Sequence, residues 1–348
     1  MQSIDYYVRT AKQTIAPANF SRTVIDWQQT HGRNDLPWQR EANPYHVLVS
    51  ELMLQQTQVK TVIPYFSRWL ARFPDVETLA AASEDDVMQL WQGLGYYRRA
   101  RNLQAAARTV VNNHNGEIPT TATELREIPG IGPYTVGAIR AFAYDAPAAI
   151  VDGNVKRLFA RLFALPFLVN KSSHDRYFWA LAEEYTPTQE NRRFAQGLLD
   201  LGATICKPKQ PLCAACPLQS VCHSLAQDLV DDYPKRETKK ATPTRAGHFV
   251  LDVTEAGVLL QKRDDSSVWP NLWCLPELAA MPSGDAFGHF KHTFSHYKLE
   301  ASIWWQPAPD QSRQQRVALD AIDQLGLPAP IRNYLQKLDR REVCQKLE

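Results

Sequence analysis

Apolar residues recur at three- and four-residue steps from about residue 20 to residue 225, the period of helices that bury one face. YHVLVSELMLQQTQVKTVIPYFSRWLARF (45–73) shows it, as do EDDVMQLWQGL (84–94) and YYRRARNLQAAARTVVNNH (96–114). VDGNVKRLFARLFAL (151–165) and FAQGLLDLGATIC (194–206) continue the series. Residues 226–246, AQDLVDDYPKRETKKATPTRA, mix charges, threonine and proline with few apolar positions, and so read as a linker. Beyond it the period shortens. HFVLDVTEAGVLLQKRDDS places β-branched runs around a turn, and KHTFSHYKLEASIWWQ alternates, both patterns of strands. A helix is expected to close the chain at PAPIRNYLQKLDR. The pattern thus predicts a mainly α domain over 21–225, a linker over 226–246 and a mixed α and β domain over 247–348, with residues 1–20 as an extension.

Composition adds little to this division. The 348 residues are 44% apolar, enough for two cores, and the net charge is only +2. Any contact with nucleic acid must therefore rest on where charges sit, not on how many there are. No apolar run is long enough to span a bilayer. The start, MQSIDYYVRTAKQTIAPANF, lacks the apolar block of a secretory signal, so a cytoplasmic location and no membrane partner are expected.

The cysteines change the picture more. Four of the six fall at Cys206, Cys213, Cys216 and Cys222, while Cys274 and Cys344 stand apart as packed or surface thiols. Four thiolates within seventeen residues can close around one centre. Zinc and a cubane iron–sulfur cluster both accept four cysteines. Structural zinc sites usually pair two Cys-x-x-Cys knuckles, whereas here only one gap is short, which suits the larger object better. The loop between the first two cysteines carries Lys207 and Lys209, either solvated or held where they can meet phosphates.

Two glycine turns stand before helices. In LREIPGIGPYTVGAI, Gly130 and Gly132 feed a helix start at Pro133 and Tyr134, where unpaired amides can approach a phosphate without reading sequence. Gly93-Leu94-Gly95-Tyr96 opens a helix with Arg98, Arg99 and Arg101. Either turn alone is weak evidence.

Taken in order, LREIPGIGPYTVGAI, VDGNVKR and the four cysteines resemble the helix–hairpin–helix DNA glycosylase superfamily with its iron–sulfur cluster. SELMLQQTQV, GLGYYRRARNL, FAQGLLDLGATIC and HTFSHYKL resemble its MutY family of adenine DNA glycosylases. The resemblance runs from roughly 20 to 340. It implies a six-helix barrel plus an iron–sulfur cluster domain, followed by an α+β Nudix-like domain. It also implies one [4Fe–4S] cluster on Cys206, Cys213, Cys216 and Cys222, and a monomer acting on double-stranded DNA. Such proteins flip adenine out of mispairs with 8-oxoguanine, and also with guanine, and cut its glycosidic bond.

That chemistry needs one carboxyl that holds a proton and one that stays an anion. Glu51, in VLVSELMLQQ, has apolar neighbours that should raise its pKa. The resemblance makes it the general acid toward adenine N7. Asp152 precedes a helix, where amides and the dipole favour its ionised form. The resemblance makes it the group that stabilises or attacks an oxocarbenium-like sugar, with Asn154 orienting it or a water. Relatives similar to endonuclease III carry a lysine at the position of Tyr134 and form a Schiff base. A phenol cannot, so glycosylase activity without efficient strand cleavage is expected. Gln56 and Tyr96 match family positions that wedge beside the orphaned purine. Leu36 and Trp38 are expected to wall the adenine pocket, and Phe294-Ser295-His296 to sense 8-oxoguanine. LWCLPE is followed by LAAMPSGDAFGHF and not by clustered glutamates, so no pyrophosphatase activity is expected of the Nudix-like part. The rival readings are an oxidised-pyrimidine glycosylase with lyase activity and a non-catalytic redox-sensing DNA-binding protein.

Overall fold

The computed structural model describes residues 2–238, 241–264, 268–309 and 313–338; Cys344 lies outside them. The chain divides into two compact units, residues 1–80 with 105–238, and residues 81–104 with 239–348. The helical pattern of the sequence is realised in the first unit. Its central core joins Phe20, Val24, Phe159, Phe178, Tyr185, Phe194 and Leu201. Helix Asn191–Asp200 packs on Pro17–His31 and on Pro133–Tyr144. The first of these approaches depends on Gly197, where a Cβ would come within 2.6 Å of a Val24 methyl. Helix Pro44–Leu54 packs on Pro133–Tyr144 as well, which sets the two halves of the candidate site side by side.

The helix–hairpin–helix consists of Ala122–Glu127, a turn, and Pro133–Tyr144. Gly130 takes φ +79°, the left-handed backbone that glycine adopts without a Cβ clash. Residues 4–14, to which the sequence assigned nothing, form a helix docked on this unit. Tyr7 sits edge-on to Phe167, and Lys12 pairs with Glu184 at 2.7 Å.

Among its described residues the second unit holds two four-stranded sheets. Strands are β1 (Thr244–Leu251), β2 (Val253–Thr254), β3 (Gly257–Lys262), β4 (Trp273–Cys274), β5 (Glu277–Leu278), β6 (Gly288–Thr293), β7 (Lys298–Trp305) and β8 (Gln314–Val317). One sheet has the order β5-β1-β7-β6, with β1 and β7 parallel and Val250 opposite Trp304. The other has the order β2-β3-β4, with β8 also on β3. The closing helix is Ala329–Gln336.

The structural division differs from the one read in the sequence at two places. Residues 226–238 belong to the first unit, because Arg161 Nε donates to the carbonyls of Val230 and Tyr233 at 3.1 and 2.9 Å and Val169 N donates to that of Lys235. Residues 81–104 group with the strands, because Met88 packs so closely on Gly326 that a Cβ there would come within 2.8 Å of its own, and Gln92 Nε2 and Tyr97 Oη both donate to the Leu327 carbonyl at 3.2 Å.

Candidate active site

Glu51 lies on helix Pro44–Leu54, which starts at a capping Asn43 whose side chain accepts from the amides of Tyr45 and His46. Val47 through Met53 are all buried, so the helix carries its glutamate into the core, 4% exposed. Burial pushes the Glu51 carboxyl up to about 7. The Tyr134 hydroxyl donates a hydrogen bond that pulls it down, and the Asp152 charge pushes it further up. Glu51 thus holds or yields a proton near neutrality, as a general acid must.

Tyr134 stands in the first turn of Pro133–Tyr144. Burial, and then the carboxylates of Glu51 and Asp152, hold its phenol well above the ordinary value. It is a neutral donor.

Asp152 caps helix Gly153–Leu162. Its Oδ1 accepts from the amides of Asn154 and Val155, both at 2.8 Å, and its Oδ2 from Asn154 Nδ2 at 2.7 Å. The cap expected from sequence is present, but its electrostatic consequence is different. Burial raises the pKa of Asp152 and outweighs the three hydrogen bonds and the nearby Arg157 guanidinium, which lower it. Asn154 continues the chain of bonds, since Arg157 Nη2 donates to its Oδ1 at 2.8 Å. Arg157 Nε in turn donates to the Cys206 carbonyl at 2.7 Å, and Nη2 to that of Gly202 at 2.6 Å. Arg157 was present in the sequence motif VDGNVKR, yet nothing in its spacing showed where its guanidinium would go.

Cys206 is delivered by a π turn, Leu201–Ile205, at the end of helix Asn191–Asp200. Such turns often mark functional positions. All four cysteines of the motif line one cavity with Leu158, Leu162, Ile205, Leu218 and Leu225. Arg161 Nη1 donates to Cys206 Sγ at 3.4 Å and to the Lys207 carbonyl at 2.7 Å. Burial pushes the Cys216 thiol up to about 11 and raises Cys213 and Cys222 too, so thiolates here require a cation to displace their protons. Among the described residues no three metal-ligating side chains converge closely enough to hold a single ion. The four thiols share the wall of that one cavity.

A cleft of about 530 Å³ opens beside Glu51. Trp38 lines it, whereas Leu36 is buried and is not part of the wall. Gln28, Asn34, Gln39, Arg193 and Gln196 complete much of its polar lining; Gln196 lies in the motif FAQGLLDLGATIC, but none of the five was singled out by the sequence reading.

The remaining candidates sit at exposed turns. Gln56 is exposed with φ +56°, and Tyr96 is 49% exposed with φ +49°. Non-glycine residues held at positive φ cost energy and are frequent at functional sites. Arg99 holds the Tyr96 turn: it is buried, and Nη2 donates to the carbonyls of Leu94 and Gly95 at 3.2 and 3.1 Å. Of the three arginines there, Arg98 is exposed. Gly132 is partly exposed with open space where a Cβ would be, and Lys209 is exposed while Lys207 is half-buried. Phe294, Ser295 and His296 form the tip between β6 and β7. Phe294 stacks on Tyr297 at 4.6 Å, leaving Ser295 and His296 exposed.

Two family models match the chain, the HhH-GPD superfamily base excision DNA repair protein over residues 49–183 and the NUDIX domain over residues 248–337. The adenine DNA glycosylase of Buchnera aphidicola subsp. Baizongia pistaciae is 33% identical, over 92% of this chain and 97% of its own. That of Rattus norvegicus is 42% identical over 83% of this chain and 65% of its own. Among solved structures, a thermostable thymine-DNA glycosylase superposes with a TM-score of 0.56 at 28% identity, covering 61% of this chain and 97% of its own. With a buried Glu51 hydrogen-bonded to Tyr134, Asp152 close enough to act on both through its charge, and a relative 33% identical over 92% of this chain and 97% of its own length, the chain belongs to the adenine DNA glycosylases.

Proposed function

We propose that this adenine DNA glycosylase acts on adenine paired with 8-oxoguanine, and with guanine, by the two-carboxyl route. The observation that carries the reading is Glu51, buried, titrating near 7 and hydrogen-bonded through Tyr134 beside Asp152. An extruded adenine takes a proton at N7 from Glu51. The C1′–N9 bond breaks with its electron pair going to the base, which leaves as neutral adenine. The sugar becomes an oxocarbenium-like cation facing the Asp152 carboxylate. Water then adds at C1′, its proton passes to the Glu51 carboxylate, and an abasic site remains. General-acid assistance of this kind is typically worth ~10²–10⁴ in rate. Tyr134 offers no amine for a Schiff base, so the strand is left intact.

Gln56 suits a wedge that fills the space left by the base, its exposed turn being held at positive φ; Tyr96, taken by itself, has the same exposed and strained backbone. Ser295 meets the 8-oxoguanine. A [4Fe–4S] cluster on Cys206, Cys213, Cys216 and Cys222 would neutralise the thiolates and fix the loop bearing Lys207 and Lys209. The test is single-turnover excision from duplexes with adenine opposite 8-oxoguanine, guanine and thymine, each read with and without alkali. Fast release opposite 8-oxoguanine, with breaks only after alkali, is expected. Equal rates on all three duplexes, or breaks without alkali, would overturn the reading.

A further inference from the structure

The cleft beside Glu51 holds more amide groups than the proton transfers use. Most of them are engaged. Gln28 Nε2 donates to Asn34 Oδ1 at 2.6 Å, and Asn34 Nδ2 donates to the carbonyls of Gln28 and Gly32. Gln196 Nε2 donates to Asp200 Oδ1 at 2.8 Å, and that carboxylate also takes Arg33 Nε at 2.7 Å. Gln39 differs. Its side-chain nitrogen and oxygen are both buried, and neither meets a partner among the described residues. Gln39 nonetheless lines the same cleft as Glu51.

Its backbone is fixed. It ends a 3₁₀ turn, Pro37–Gln39, in which Gln39 N donates to the Leu36 carbonyl at 2.9 Å. The preceding Trp38 is 7% exposed and sits edge-on to Phe66 at 5.5 Å. A buried primary amide without partners carries the desolvation cost of each unmet group. A ligand with an adjacent donor and acceptor removes that cost. Adenine presents such a pair at N6–H and N1, and a carboxamide can bond two neighbouring positions of its edge at once.

We propose that Gln39 reads the base in the pocket, its Oε1 accepting from adenine N6–H and its Nε2 donating to N1, while the N7 side is left to Glu51. The proposal rests on the reading of Glu51 as the proton donor to N7. Gln39 is then a specificity-determining residue. It favours a purine with an amine beside an unprotonated ring nitrogen, and it contributes before the bond breaks.

The test is a cycle between residue and base. Single-turnover excision opposite 8-oxoguanine is measured for adenine and for 1-deazaadenine, which lacks the N1 acceptor, with the wild type and with Gln39→Leu. Replacing N1 also alters the leaving group, but equally for both enzymes. The wild type is expected to show an additional loss of roughly tenfold on 1-deazaadenine, the size of one hydrogen bond, and Gln39→Leu to show none of it. An identical penalty in both enzymes overturns the proposal. Gln39→Glu provides the second arm, with unchanged size and no Nε2 donor. It should lose the N1 coupling but keep sensitivity to removal of the N6 amine, measured with purine; loss of neither or of both also overturns it. Glu51→Gln is assayed beside them. Full activity there would remove the acid assignment without altering the coupling measured at Gln39.

Discussion

A Cβ on Gly202 would lie 2.5 Å from the Cβ of Asn154 and 3.1 Å from its Cα. The π turn that delivers Cys206 is thus pressed against the residue that holds Asp152 Oδ2. Backbone cannot yield as a side-chain tip can. Gly202→Ala should displace Asn154, cost about 1–3 kcal/mol of stability, and lower kcat more than KM. A variant that melts and turns over like the wild type would show that the contact carries no functional weight.

Glu51→Gln should retain affinity for the mispair and lose ~10²–10⁴ in single-turnover rate, since shape remains and the donated proton is gone. In the wild type the rate should fall as pH rises through about 7, because only protonated Glu51 acts. Stability carries the same sign. The folded-state pKa lies above the unfolded one, so the stabilisation is complete below about 4.5 and is lost as pH rises to about 7. Above pH 7, Glu51→Gln should therefore be more stable than the wild type, by about 1–3 kcal/mol in denaturant titrations.

Tyr134→Phe removes the hydrogen bond that lowers the Glu51 pKa. The alkaline limb of the rate–pH profile should move to higher pH. A limb that stays in place or moves down would mean that the hydroxyl does not act on Glu51.

Iron and acid-labile sulfide should be present in equal amounts in protein purified without oxygen, with a broad visible absorption band. Cys213→Ala should lose both and soften the 206–222 loop, read as increased proteolysis there. Stoichiometric zinc in place of iron would replace the cluster with a single-ion site.

Removing residues 247–348 is a poor probe of partner-base recognition, because residues 81–104 belong to the same compact unit, where Met88 packs on Gly326 and Gln92 and Tyr97 bond the Leu327 carbonyl. Ser295→Ala is cleaner, since that side chain is exposed. It should reduce the preference for 8-oxoguanine over guanine by roughly three- to tenfold, the worth of one hydrogen bond, and leave excision opposite guanine unchanged. Equal losses on both duplexes would assign Ser295 to general DNA binding.

The helical part, the strand-rich part, the hairpin, the cap at Asp152 and the buried setting of Glu51 were legible in the sequence, because each is local. Periodicity, a capping residue and a glycine before a helix act over a few positions. What the tertiary structure decided is where separate segments meet. The Tyr134 hydroxyl reaches Glu51 across two packed helices, and Arg157, bonded to Asn154, also reaches the Cys206 carbonyl 49 residues further along the chain. Those contacts depend on packing, and no spacing along the chain encodes them. Burial decided the electrostatics as well. The local rule at a helix start favours an ionised Asp152, but desolvation is set by everything that surrounds the carboxyl, and it raised the pKa instead. The boundary near residue 226 shifted for the same reason. Composition marks where a chain can be a linker, whereas Arg161, bonded to two distant carbonyls, determined that this stretch is held.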